Sequence, residues 1–127
     1  MSQARRARGE KARRDGRSAE LIAALWLMAK GWRILGVRIA TPLGEIDLLA
    51  RRGGVLAVVE VKRRATLAEA LEAVKPAQRQ RLRNAAERLA GQRAELQDLS
   101  IRLDLVALGP RGFPRHCPDA WPSDLSG

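Results

Sequence analysis

The sequence predicts an α/β fold, a mixed sheet of four or five strands flanked by helices in the order α-β-β-β-α-β. Three observations carry this. Residues 44–62, GEIDLLARRGGVLAVVEVK, read as two strands around a turn, rich in Ile, Leu and Val. Pro76 suits the first turn of a long helix to about residue 93, in which Leu82, Ala85, Ala86 and Leu89 mark one apolar stripe. IRLDLVAL, residues 101–108, reads as a further strand.

The remaining elements follow in order. Residues 1–14, rich in Arg, Ala and Gly, read as a flexible basic arm. From about Asp15 the pattern is helical, with Ala19, Ile22, Ala23, Trp26 and Ala29 at helical spacing and Gly31 as a stop. WRILGVRIA is a strand, and TPLG turns the chain into the hairpin. Residues 63–75 suit a short helix or an ordered loop. The tail, 109–127, has four prolines before its last five residues and no period, and is expected to be irregular. One domain over 15–108 is therefore expected, which 127 residues can furnish with a single core.

Composition narrows the function classes. No apolar run reaches the roughly 20 residues that span a bilayer. The first residues lack the apolar stretch of a secretory signal. Cys117 is the only cysteine, which rules out an internal disulfide framework and fits a reducing, cytoplasmic setting. The net charge is +10 and is concentrated. Residues 1–17 carry seven Lys/Arg against Glu10 and Asp15. Residues 75–93 carry Lys75, Arg79, Arg81, Arg83, Arg88 and Arg93 against Glu87. Two basic segments on a balanced body suit a polyanion, with a solvated Arg-rich surface as the alternative. Neither segment has the large apolar face of a membrane-surface helix. Aromatic residues are too few for a stacking platform, so nucleic-acid contact would be directed at the backbone.

The hairpin poses the chemical question, because it places Glu45, Asp47, Glu60 and Lys62 among apolar residues. Side chains two apart share a strand face. A four-residue loop and a two-residue loop at Gly53-Gly54 both point Asp47 and Glu60 the same way. The two-residue loop sets them directly opposite, about 4.5–5.5 Å apart at Cβ. Such carboxylates repel unless a cation lies between them. Mg²⁺ takes one or two carboxylates plus water and phosphate oxygens, and the Val61 carbonyl offers one further ligand. Lys62 can orient an attacking water or neutralise a phosphate. These parts suit metal-dependent phosphodiester hydrolysis. The competing reading is a surface hairpin in which Glu60 and Lys62 form a weak ion pair. Glu45 reads first as a rim residue or an Arg partner, and second as a metal ligand.

Asp47, followed after a turn by Glu60-Val61-Lys62, resembles the PD-(D/E)xK signature of the restriction-endonuclease-like superfamily. A-E-L-I-A-A-L-W-L, G-W-R-I-L, G-E-I-D-L-L-A, V-V-E-V-K-R-R and R-L-D-L-V-A-L are similar to the YraN-like family of small bacterial proteins, over residues 16 to about 108. The resemblance implies a restriction-endonuclease-like core akin to Holliday-junction resolvases and a nuclease acting on branched, nicked or damaged duplex. It implies Asp47 and Glu60 as metal-binding acids, Lys62 as the catalytic lysine, and Glu20 as an acid that completes the site. It also places Gln78 near the site. Mg²⁺ is the implied cofactor, with Mn²⁺ as a substitute, and no small-molecule cofactor or membrane partner is expected. Arg13 and Arg14 of the arm, Arg63 and Arg64, and Lys75, Arg79, Arg81 and Arg83 are the expected nucleic-acid contacts. Cutting two strands would favour a homodimer, by analogy. The sequence departs from the family at Trp26, where Tyr is common, and at Gly36-Val37, where an Asn-containing stretch precedes the Arg.

Two other functions remain open: a nucleic-acid-binding module without turnover, and a basic module that docks an acidic protein. His116 and Cys117 are neighbours in the tail, but zinc would need about four spaced ligands. Asp104 is expected to pair with Arg102 or a helix-borne Arg.

Overall fold

A computed structural model describes residues 18–111 and 113–122 of the protein. The arm, with Arg13 and Arg14, lies outside the described residues. Within them a first helix, α1, covers 18–29. Three strands follow, β1 (Arg33–Thr41), β2 (Gly44–Arg52) and β3 (Val55–Arg63). Two helices, α2 (Leu67–Glu72) and α3 (Pro76–Gln92), lead to β4 (Ser100–Leu108) and β5 (Pro114–Cys117). Residues 63–75 thus contain a helix, whose Thr66 Oγ1 accepts the Glu69 N–H at 3.1 Å as an N-cap.

The sheet order is β1-β2-β3-β4-β5. Only β3 and β4 are parallel; the other pairs are antiparallel. The mixed five-stranded sheet with flanking helices is the expected α/β architecture and is compatible with a restriction-endonuclease-like core. Arg52 pairs with Val55, so the hairpin turns on two residues. Gly53 takes φ 57°, the left-handed conformation that favours glycine at this turn.

Helices cover both sheet faces. On one face Leu82, Ala85, Ala86 and Ala90 of α3 pack on Leu49, Leu56, Val58, Leu103 and Leu105. On the other, Ala23, Ala24 and Leu27 of α1 pack on Leu48, Ala50, Ala57, Val59 and Val106. The buried stripe of α1 differs from the expected one. It consists of Ala19, Ala23, Ala24 and Leu27, whereas Trp26 is 39% exposed. Rotation by about one position follows from size, because small alanines let the helix approach the sheet while Trp26 stacks under the Lys30 ammonium at 4.8 Å. The consequence is that Glu20, at i−3, i−4 and i−7 from Ala23, Ala24 and Leu27, falls on the buried stripe.

The tail also departs from expectation, since Pro114–Cys117 forms β5 against β4. Pro114 begins this edge strand, where a missing N–H is tolerated. His116 and Cys117 then point to opposite faces: the His116 ring meets Trp32, while Cys117 packs on the α3 side. That geometry separates them as a chemical pair.

Candidate metal-binding and catalytic site

The site forms where the hairpin ladder ends. Pairing of β2 with β3 runs from Arg52–Val55 to Leu48–Val59. The next pair in register would be Asp47 and Glu60. There the ladder stops and the Asp47 carboxylate takes over, its Oδ2 accepting the Val61 N–H at 2.9 Å. On the other side of β2, Arg38 stands between the pairs Val37–Leu48 and Ile39–Ile46, opposite Asp47, with φ 52°. A non-glycine residue in that region marks a local irregularity. Alternation fails here too, because Ile46 packs on the α3 side and Leu48 on the α1 side. The strands splay and a cavity opens between β2, β3 and α3.

That cavity, about 400 Å³, is lined by Glu45, Asp47, Glu60, Lys62, Gln78 and Arg81 among others. All six are residues that the sequence singled out, and they line one cavity. Glu20 reaches the same place from α1: oxygens of Glu20, Glu45 and Asp47 lie within 4.8 Å of one another. Glu60 lies outside that group of three, with Oε2 at 3.7 Å from the Lys62 ammonium. Its side chain is only 4% exposed. The Val61 carbonyl points to the same side as its N–H, as strand geometry requires, and so toward Asp47.

Electrostatics express the crowding. Burial, then the charge of Asp47, pushes the Glu60 carboxyl up to about 8, although Lys62 opposes the shift. The Asp47 carboxyl is also raised, first by burial; the Val61 N–H and Lys62 pull it down and Glu45 adds to it. Arg38 offsets part of this charge, its Nε lying 3.7 Å from both Glu20 and Glu45.

The donor set fits a hard divalent cation. Neighbouring oxygens on one octahedral Mg²⁺, bound at about 2.1 Å, stand about 3 Å apart and opposite ones about 4.2 Å, so three oxygens within 4.8 Å of one another need draw together by up to roughly 2 Å, a side-chain adjustment. Asp47 and Glu60, raised first by burial and then by neighbouring carboxylate charge, gain from a cation beside them.

For Glu45 the sequence favours the rim or an Arg partner over ligation; the side chain pairs with Arg38 and also belongs to the acidic triad. Its position two residues before Asp47 was the available signal. Arg38 had none, because nothing in its residue type announces a positive φ.

The expected nucleic-acid contacts divide. Arg63, Arg64, Lys75 and Arg81 are exposed, and Arg81 lines the cavity. Arg79 and Arg83 serve the fold. Arg79 Nε donates to the Val74 carbonyl at 2.9 Å and its guanidinium lies over the Trp121 ring. Arg83 donates to the Trp121 carbonyl. Anchoring the buried Trp121 takes up donors that a phosphate would use.

Comparison with known proteins places the chain among relatives. The sequence model described as "Uncharacterised protein family UPF0102" matches residues 19–108. A "UPF0102 protein" of Caulobacter vibrioides (strain NA1000 / CB15N) is 68% identical over 117 residues, covering 92% of this chain and 94% of its own. One from Caulobacter sp. (strain K31) is 63% identical over 119 residues, covering 94% and 86%. A third, from Paramagnetospirillum magneticum, is 47% identical over 117 residues, covering 89% and 91%. These names state a family and no reaction. No helix among the described residues is long and apolar enough to cross a membrane.

Proposed function

The chain belongs to the uncharacterised family UPF0102, and from its acidic cavity we propose that it hydrolyses phosphodiesters of DNA with a divalent metal, Mg²⁺ with Mn²⁺ as substitute. The observation that carries this is the meeting of Glu20, Glu45 and Asp47 within 4.8 Å, beside Glu60 and Lys62, at the splayed end of the hairpin.

Glu20, Glu45 and Asp47, whose oxygens already meet, are the residues that would hold the ion, with Glu60 and the Val61 carbonyl beside them as further donors. Bound there, the metal would polarise the scissile phosphate and make its water more acidic. Asp47 is fixed by the Val61 N–H, so its carboxylate is oriented before any ligand arrives. Lys62, 3.7 Å from Glu60, stands at the cavity wall, where its ammonium can meet a phosphate oxygen or orient the water. Gln78 and Arg81 approach from α3 and can hold the substrate backbone. Arg63, Arg64 and Lys75, exposed close in sequence to Lys62 and Gln78, would supply further cations for a branched, nicked or damaged duplex. A homodimer would let two such sites act on two strands.

The test is cleavage of labelled linear, nicked, flapped and four-way DNA, with an RNA duplex beside them, in Mg²⁺ and in Mn²⁺. Cuts that depend on metal and favour the non-linear substrates support the reading. Binding without cuts on any substrate would leave a nucleic-acid-binding module. Neither binding nor cuts would point to a protein partner.

A further inference from the structure

At the other end of the hairpin lies a second cavity, about 560 Å³, that the acidic site does not use. Its wall contains Lys30, Trp32, Arg52, Arg102 and His116. It lies on the α1 face of the sheet, whereas the acidic cavity opens toward α3. Along β3, Val55 to Glu60 is about 17 Å at the rise of a strand. The two cavities thus sit at opposite ends and on opposite faces.

The chemistry of this wall is that of an anion site. Three cations line it and no carboxylate does. Arg102 is held rigidly, its Nε donating to Asp104 Oδ1 at 2.8 Å and a terminal nitrogen to Oδ2 at 2.9 Å. Its guanidinium lies 5.5 Å from the Trp32 ring centroid. A guanidinium has five N–H donors, so this clamp leaves three. Asp104 is fully buried and also bound by His116 Nε2 at 2.7 Å and the Asp119 N–H at 2.9 Å.

Two negative charges lie behind the wall: Asp104, and Asp119, whose charge reaches Arg102. They offset part of the three cations and leave an excess. A purely structural network would account for Asp104, Arg102 and His116, since it ties β5 to β4. It does not account for Arg52, nor for the charge of Lys30, whose ammonium lies over the Trp26 ring; both are exposed, and no carboxylate pairs with either among the described residues. Three cations around one cavity repel each other unless an anion joins them.

We propose that this cavity binds a phosphate group, held by the open side of Arg102 together with Lys30 and Arg52. The fork of a fixed guanidinium matches two phosphate oxygens, and Lys30 and Arg52 complete the charge. The volume is in the range of small-molecule sites and exceeds what a bare phosphate fills, so a phosphate monoester on a larger body suits it. A backbone phosphate of a nucleic acid offers the same chemistry.

The experiment is calorimetric titration of the full-length protein with sodium phosphate, adenosine monophosphate and a short DNA duplex, with sodium chloride matching ionic strength. Lys30→Gln/Arg52→Gln replaces two exposed side chains and leaves the basic arm and the buried network untouched. Arg102→Lys keeps a charge against Asp104 but loses the fork. Saturable binding of phosphate or adenosine monophosphate, weakened about tenfold or more in both variants, is expected. If the duplex also weakens in these variants and competes with phosphate, the group comes from a nucleic-acid backbone. If the duplex is unaffected, it comes from a small phosphate ester. No saturable binding of either small probe, or binding that both variants retain, overturns the proposal. None of these outcomes depends on cleavage or on divalent metal, so the two proposals fail separately.

Discussion

Asp47 Oδ2 accepts the Val61 N–H at 2.9 Å, at the point where β2 and β3 stop pairing through their backbones. One carboxylate thereby ends the ladder, satisfies a strand N–H and holds itself in the cavity. Structure and site are coupled through this bond, and replacements of Asp47 separate the two roles.

Asp47→Asn keeps an oxygen that can accept from Val61 and removes one negative charge. The metal-free protein should be as stable as before or slightly more so, because a buried charge is removed and repulsion with Glu45 is relieved. Asp47→Ala leaves the Val61 N–H without that acceptor and should cost about 1–3 kcal/mol. Urea unfolding of both variants makes the comparison. If both lose stability equally, the carboxylate charge is a structural ion-pair partner.

Glu60 makes stability depend on pH in an unusual direction. Its folded carboxyl is raised to about 8 from an ordinary 4.5, so between those values the folded state holds a proton that the unfolded state has released. Stability of the metal-free protein should therefore fall as pH rises through that window and level off above it. Glu60→Gln should remove the decline. Added Mg²⁺ should stabilise most at the alkaline end, where the carboxylate is ionised. Thermal unfolding at several pH values, with and without Mg²⁺, reads all three.

Asp104 should behave in the opposite sense. Burial raises its carboxyl, but His116, Arg102 and the Asp119 N–H outweigh that and hold it near 2, below the ordinary 3.8. Its contribution is complete above about pH 4 and is lost as pH falls toward 2. A shift of this size corresponds to about 2 kcal/mol. Asp104→Asn should lose that amount at neutral pH and weaken the dependence on acid, as chemical unfolding at pH 7 and pH 3 would register.

Binding to duplex DNA should depend steeply on salt. If about five phosphates are neutralised, log K against log salt should slope at roughly −4 to −5. Deleting residues 1–14 should flatten the slope, because five Arg and Lys11 lie there. Replacing Arg79 or Arg83 should alter it little, because both are committed to the Val74–Trp121 region. An affinity indifferent to salt would argue for a protein partner instead.

What the sequence disclosed, and what it hid, has a physical pattern. The hairpin register was legible because a Gly-Gly turn and strand alternation leave few solutions, and Arg52–Val55 pairing realises the shorter loop. The burial of Glu20 could be approached only through its apolar neighbours, since the seating of α1 depends on which of several small residues meets the sheet. Arg38 and the splay at Asp47 escaped because they arise from backbone conformation rather than from residue pattern. β5 escaped for a different reason. A four-residue edge strand between prolines has too short a period to read, and its anchor, His116 on Asp104, joins residues twelve apart.

The central claim is most directly tested by single-turnover cleavage of a labelled four-way junction in Mg²⁺, with the unaltered protein beside Asp47→Asn, Glu60→Gln and Lys62→Ala. The account predicts metal-dependent cutting that both acid variants abolish. Lys62→Ala should still bind the DNA and cut it roughly 10²–10⁴-fold more slowly. Cutting that survives in Asp47→Asn and Glu60→Gln, or that proceeds equally in the presence of a chelator, would contradict it.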